Sequence, residues 1–596
     1  MKKNLNQLRS PFSGASLLYS NMEFNTALLS YKTERKFLPS NFNYSNWNDL
    51  QHYFEDLKNR ELSNELDFEN WLRDRSELEA ALQEDVGWKY IRMSCDTTNE
   101  EFSKDYTFFV TEIQPKIAPY SNDLDLKLLA FSGLDNYKKT GFDIMLRQLK
   151  KRVELFREEN IPLIAELQNK EQEYAAIAGA MSVEVDGKEL TMQQAGNYLE
   201  LHDRPKREEV YRKMMNRRLQ DREKLDDLFD ELLAIRHKIA LNAGFENYRD
   251  FMFASMGRFD YTPDDCFKFH DAVEKHLVPL VQQREEAHQR DLNLFELQPW
   301  DLAAEPEGKS VLRPFNGHAD LIEKTIHCFN RLNPFLGSCI NELQMRKHLD
   351  LESRKGKAPG GYNYPLYESG LPFIFMNSTN TLRDLVTMVH EGGHAVQSIV
   401  DQPLELVDYK NIPSEVAELA SMSMELMSMK YWDSYFKDSS ELKRAQLKHI
   451  EDVIKGLPWI ATVDAFQHWL YLNPNHNRIE RRDAWKKTYS RFAGKAVNWD
   501  GLEDAKGNLW QKQLHIFEVP FYYIEYGFAQ LGAIAMWMNF SKNESATINA
   551  YLNALALGYT KPIGEVYKTA GIEFDFSEKY VSKLADFLKN KIEEFH

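Results

Sequence analysis

Cysteine is scarce: Cys95, Cys266, Cys328 and Cys339 are the only four in 596 residues, and no two of them form a C-x-x-C pair. Neither a disulfide framework nor a thiolate metal site is indicated, and a reducing compartment fits best. Long apolar runs are also missing, since no stretch approaches the roughly 18 apolar residues of a membrane span. The N-terminal Met1-Lys2-Lys3 resembles the start of a signal peptide, but Asn4, Gln7, Arg9, Ser10 and Ser13 interrupt any apolar core ahead of Ala15 to Tyr19. The expectation is a cytoplasmic protein whose first residues form a poorly ordered extension, with Met22 as an alternative start. There is no excess of positive charge. With 74 Lys and Arg against 91 Asp and Glu, the net charge is -17, which argues against nucleic acid and anionic membranes as partners. Internal repeats and low-complexity linkers are absent as well.

What is present is helical pattern. Segments rich in Leu, Glu, Lys, Gln and Arg recur at Leu62 to Gln83, Phe142 to Gln172 and Pro205 to Asn242. Strand candidates are few: a hairpin of Met181 to Val185 with Glu189 to Met192 around Asp186-Gly187, and the aromatic run Leu371 to Met376. The stretches Leu297 to Pro314 and Arg354 to Leu371 read as loops. The fold class is therefore mostly α. A composition shift near Pro205 divides an N-terminal helical region, 1–205, from a catalytic region, 206–596.

One pentapeptide carries chemistry: His390-Glu391-Gly392-Gly393-His394. On a helix, residues four apart share a face, so both imidazoles can reach one ion, while Glu391 on the flank can take a proton from the attacking water. The helix itself is predicted by a capping box, Thr381 with Asp384, and by apolar residues at Leu382, Leu385, Val386, Val389, Val396 and Ile399. Two adjacent glycines cost about 1 kcal/mol each in a helix interior. Their presence suggests that something approaches the backbone, and a substrate is the obvious candidate.

Two histidines and a water leave a tetrahedral zinc one protein ligand short. A downstream helical stretch from Ile412 to Glu425 carries Glu415, Glu418 and Glu425 along one stripe of an otherwise apolar, Met-rich surface. Buried carboxylates need a metal or hydrogen-bonding partners. Spacing alone does not choose between Glu415 and Glu418.

His390-Glu391-x-Gly393-His394 followed by Glu418-x-x-Ser421-x-x-x-Glu425 resembles the oligoendopeptidase F and thimet oligopeptidase family of zinc metallopeptidases. Trp300-Asp301, Asp203-Arg204, Arg236 to Phe251 and the run from Asn363 into Leu371-Pro372-Phe373-Ile374 agree with it, over almost the whole chain. The resemblance implies one zinc ion held by His390, His394 and Glu418, with Glu391 as the base and Glu425 as acceptor for a histidine N–H. It implies a two-lobed helical body around a deep channel, a small β-sheet near the active site, and internal cleavage of short peptides. Gly392 departs from the family, many members of which carry a bulkier apolar residue there.

A second constellation runs from His515 to Tyr526. Neutral donors aimed at the developing oxyanion lower the barrier to peptide hydrolysis. In the resembled family a histidine and tyrosines of this region do so, and the Tyr-x-x-Tyr spacing maps to Tyr523 and Tyr526, with His515 upstream and Tyr522 as a near miss. His237, His449 and His468 stand singly on charged helices and are read as idle. Met422, Met424, Met427 and Met429 read as core filler. Two other readings remain in view. A zinc carboxypeptidase or dipeptidase would need a cationic anchor for a free carboxylate, and a catalytically idle peptide-binding protein would have no use for Glu391.

Overall fold

The computed structural model describes residues 24, 26–30, 34–40, 42, 44–354, 356–358 and 360–595. Met22 and the rest of the expected N-terminal extension up to it lie outside them. Helices α1 (Trp47–Asn59) and α2 (Glu65–Cys95) each begin at an asparagine, Asn46 and Asn64, whose side chain accepts a first-turn N–H. With α3 (Gln114–Leu129) and α4 (Phe142–Leu155) they enclose a core containing Phe54, Phe68, Trp71, Leu124 and Leu149. Leu406 and Tyr409, far along the chain, complete this core.

The run Phe142 to Gln172 is two helices rather than one. α4 stops at Leu155 and α5 spans Asn160–Gly179, because Pro162 lacks an N–H and its ring would clash with the carbonyl four residues back. Likewise the run from Pro205 breaks at Asp221. β1 (Ser182–Val185) and β2 (Lys188–Thr191) form the expected hairpin. Asp186 and Gly187 both have positive φ, 53° and 73°, as a two-residue turn of this hand requires. Met192, expected in the second strand, instead starts a short helix capped by Thr191.

α6 (Arg204–Gln220) and α7 (Arg222–Asn242) follow. The composition boundary near Pro205 falls at the start of α6. Buried core residues change over earlier: Leu167 and Tyr174 of α5 belong to the large core of the C-terminal part. α8 (Pro263–His276) and α9 (Val278–Asp291) precede a three-stranded sheet of β3 (Leu349–Glu352), β4 (Tyr362–Tyr364) and β5 (Phe373–Ser378). The order is β3-β5-β4, with β3 parallel and β4 antiparallel to β5. Part of the expected loop from Arg354 to Leu371 is thus strand β4.

The remaining helices that set the site are α10 (Leu382–Val400), α11 (Ser414–Ser428), α12 (Ser439–Leu472), the short α13 (Leu514–Glu518) and α14 (Tyr523–Phe540). α11 is buried over almost its whole length, packed against α10 and α14, and it carries Glu415, Glu418 and Glu425 into the interior with its apolar residues. No helix among the described residues is long and apolar enough to cross a membrane. The four cysteines are unbridged.

Candidate active site

α10 starts where its capping box predicts. The Thr381 side chain accepts from Asp384 N–H, and the Asp384 carboxylate accepts from Thr381 N–H at 2.8 Å. Leu385, Val389, Val396 and Ile399 bury one face in the core. The other face presents His390, Glu391 and His394 to a cleft of about 480 Å³, which Tyr362, Glu418 and Tyr526 also line.

The paired glycines serve packing and not substrate. A Cβ on Gly393 would stand 2.6 Å from Ser421 Cα and 2.7 Å from the Ala420 carbonyl oxygen, both backbone atoms of α11. A Cβ on Gly392 would meet the Phe329 ring at 2.8 Å. The departure at Gly392 therefore leaves no looseness, because the Phe329 ring fills that place. Gly393 lets α10 and α11 approach until the histidines of one reach the glutamate of the other.

That approach sets a triangle. His390 Nε2 lies 3.4 Å and His394 Nε2 3.6 Å from Glu418 Oε2. Ligands of a tetrahedral zinc are roughly 3.4 Å apart, given bond lengths near 2.1 Å. Both distances to Glu418 match that spacing, and the three ligand atoms lie within 4.8 Å of one another, so the group fits a cation. Ser421 Oγ donates to Glu418 Oε2 at 3.0 Å and the Tyr522 hydroxyl donates to Oε1 at 3.0 Å. His390 Nδ1 pairs with Glu425 Oε1 at 2.6 Å, which orients the ring. Glu425 Oε2 in turn lies 3.4 Å from His449 Nε2. His449 is buried, not set on a charged face, and only the packing of α12 beside α11 reveals it.

Electrostatics favour positive charge at this point. Burial opposes protonation of His390, but Glu418 and Glu425 outweigh it and hold the imidazole well above its ordinary value. Burial takes His394 down to about 4, so it is a neutral donor of a lone pair. Burial raises Glu418, yet His394 and His390 outweigh that and carry it to about 2, keeping it ionised. Burial pushes Glu391 up to about 7, and its Oε2 has no hydrogen-bond partner. Glu415, the alternative on the same stripe, lies outside the group that could share an ion. It is buried beside Arg258 and Tyr261, and its carbonyl accepts from the Tyr567 hydroxyl at 2.9 Å.

The C-terminal donors gather on one side. The His515 ring is 4.7 Å from that of Tyr523 and 5.8 Å from that of Tyr526, and burial lowers it to about 4, so it is neutral. Tyr522 and Tyr526 line the cleft, with rings 5.3 Å apart. Burial raises both phenols well above their usual value, so each keeps its proton to donate. Tyr523 packs against His515, and neither is among the cleft-lining residues, so His515 stands beside the cleft through Tyr526. Tyr522, set aside from the sequence, is the one bonded to Glu418. Phe521 just before it has φ of 68°, a left-handed backbone that a bulky residue adopts only under constraint.

A helical body in which an H-E-x-x-H helix packs against a glutamate helix, both lining one polar cleft, is the architecture of a metallopeptidase. The chain belongs to peptidase family M3: the model for Peptidase family M3 matches residues 197–586 and that for the Peptidase M3 N-terminal domain matches residues 37–156. It is similar to an oligoendopeptidase F homolog of Borreliella burgdorferi, 21% identical over 91% of this chain and 92% of the relative. It is also similar to the oligopeptidase PepF of Bacillus subtilis, 25% identical over 43% of this chain and 38% of that one. Among solved structures, PZ peptidase A with an inhibitor aligns at a TM-score of 0.88 and 26% identity, over 94% of this chain and 99% of that chain.

Proposed function

We propose that the protein is a cytoplasmic, zinc-dependent metalloendopeptidase that hydrolyses internal bonds of short oligopeptides. The observation that carries this reading is the triangle of His390, His394 and Glu418, with the unpaired Glu391 oxygen beside it. A zinc ion held by His390, His394 and Glu418 would supply a Lewis acid that polarises the scissile carbonyl and acidifies a water. Glu391 takes the proton of the attacking water and returns it to the leaving amine. Glu425 fixes the His390 tautomer through Nδ1, leaving Nε2 to face the triangle. Tyr526 and His515 donate to the developing oxyanion, and Tyr523 steers the His515 ring from behind.

Strand addition by an extended peptide needs a free sheet edge, which the strand read at Leu371 to Met376 does not offer. Among the described residues β5 is central, between β3 and β4, whereas β4 has an edge without a partner strand. Tyr362 and Asn363 of β4 line the cleft, so an extended peptide adds alongside β4. The Tyr362 hydroxyl is 2.5 Å from Ser94 Oγ, so α2 of the N-terminal part packs against this strand.

Two decapeptides, one blocked at both ends and one free, test the proposal by mass spectrometry of products. Internal cleavage of both is expected. Sparing of the blocked peptide, or stepwise loss from one end of the free one, would make the enzyme an exopeptidase. Chelation is expected to abolish cleavage and zinc to restore it. Glu391→Gln is expected to retain the metal while kcat falls by several orders of magnitude, and full activity in that variant would remove Glu391 from the mechanism.

A further inference from the structure

A second group of metal-ligand side chains lies outside the cleft. α8 carries Cys266 and His270, and α12 carries Asp464 and His468; each pair is spaced by four and so shares a helix face. The two helices pack against each other. Cys266 Sγ, a carboxylate oxygen of Asp464 and a ring nitrogen of His468 all lie within 4.8 Å of one another. His270 Nε2 lies 2.8 Å from Asp464 Oδ2, the same oxygen that His468 approaches.

None of these groups reaches water. Cys266 and Asp464 are 0% exposed, His270 1% and His468 3%. Buried polar atoms are almost always hydrogen-bonded. Here Asp464 Oδ1 and both ring nitrogens of His468 have no such partner. His468 Nε2 comes within 3.2 Å of Asp464 Oδ2 as an ion-pair contact, which leaves Asp464 Oδ1 and His468 Nδ1 without a polar partner. A core polar network with two unpaired atoms is costly unless something else satisfies them.

We propose that Cys266, Asp464 and His468 bind a second divalent cation of the zinc type, as a structural centre. A thiolate and a carboxylate cancel the double charge of the ion and a neutral imidazole adds none, so the sealed site carries no net charge. Binding releases the Cys266 thiol proton to solvent. One sulfur, one nitrogen and one oxygen donor suit zinc and its transition-metal neighbours, and not calcium or magnesium, which take oxygen. His270 supplies the outer hydrogen bond that orients a ligating carboxylate. Nearby Arg258 does not oppose the ion, since Glu525 Oε1 accepts from its guanidinium at 2.8 Å.

The centre braces the active site from behind. The His468 ring is 5.4 Å from that of Phe521, and Gln467 Oε1 accepts the Phe521 N–H at 3.2 Å. Phe521 is the constrained residue that aims Tyr522 at Glu418. The scattered cysteines and the lone His468 hide this arrangement in the sequence, because each helix supplies only half of it.

Metal analysis and cobalt substitution test the proposal on the intact chain. Purified with zinc, the protein is expected to hold about two equivalents, and a His390→Ala, His394→Ala variant about one. With cobalt in place of zinc, that double variant is expected to show thiolate-to-cobalt charge-transfer absorption, which a site of histidines and a glutamate cannot give. Cys266→Ser in the same background is expected to abolish the band; should it not fold, His468→Gln serves the same purpose, and the band in the double variant stands as evidence without either. One equivalent in the parent and none in the double variant would overturn the proposal. So would metal retained there without the charge-transfer band.

Discussion

Tyr522 and Tyr526 stand one helical turn apart, and their hydroxyls do different work. Tyr526 faces the cleft, where a donor meets charge that develops only during reaction. Tyr526→Phe is expected to lower kcat by about 10²–10³-fold with KM little changed, measured at saturating zinc. Tyr522 instead holds Glu418 Oε1 at 3.0 Å. Tyr522→Phe is expected to weaken zinc binding about 10–100-fold, the usual effect of losing an outer hydrogen bond to a ligand, while kcat at saturating metal stays near wild type. A metal titration alongside steady-state kinetics separates the two, and an unchanged zinc affinity in Tyr522→Phe would deny it this part. His390, Glu391 and His394 are legible from sequence because a helix fixes their relation within five residues. The Tyr522–Glu418 and His449–Glu425 contacts are not, because they depend on how α11 meets helices distant in the chain.

At the scale of the element, the α10–α11 contact decides whether the triangle closes. Alanine at an exposed helical glycine gains about 1 kcal/mol in propensity. At Gly393 the new methyl meets backbone 2.6 Å away, which cannot rotate aside. Gly393→Ala is expected to force the helices apart, losing both thermal stability and metal. Gly392→Ala presses on the Phe329 ring and Ile340 side chain instead, which can shift. That variant is expected to cost about 1–3 kcal/mol of stability and keep its metal. Zinc content and melting temperature of the two variants check this, and unaltered metal in Gly393→Ala would mean the spacing is set elsewhere. The helices and the hairpin are largely readable from caps, prolines and turn residues. What they leave open is local: Pro162 divides the helical run from Phe142 to Gln172 in two, and β3, hard to see in four mixed residues, takes the second edge of β5.

For the whole molecule, pH acts on stability through buried acids away from the cleft. Burial raises Glu285 of α9 from 4.5 to about 7, and its Oε2 has no hydrogen-bond partner. Between those two values the folded chain keeps a proton that the unfolded chain has lost. Stability therefore falls as pH rises through that window, by on the order of 3 kcal/mol at most, and is flat above it. Glu285→Gln is expected to raise the denaturation midpoint at pH 8 and leave it nearly unchanged at pH 4.5; equal gains at both would assign the effect to packing. The mostly helical body is legible from periodicity, but the partition of its cores is not, since apolar residues carry no mark of which core they join. Leu406 and Tyr409 are the instructive case, because they close the core built by residues of α1 to α4. During synthesis that first core must wait for some 250 further residues, a delay on the order of ten seconds or more at ordinary ribosomal speeds. Until then the apolar face that Leu406 and Tyr409 cover stays open to water, a surface for a chaperone to hold.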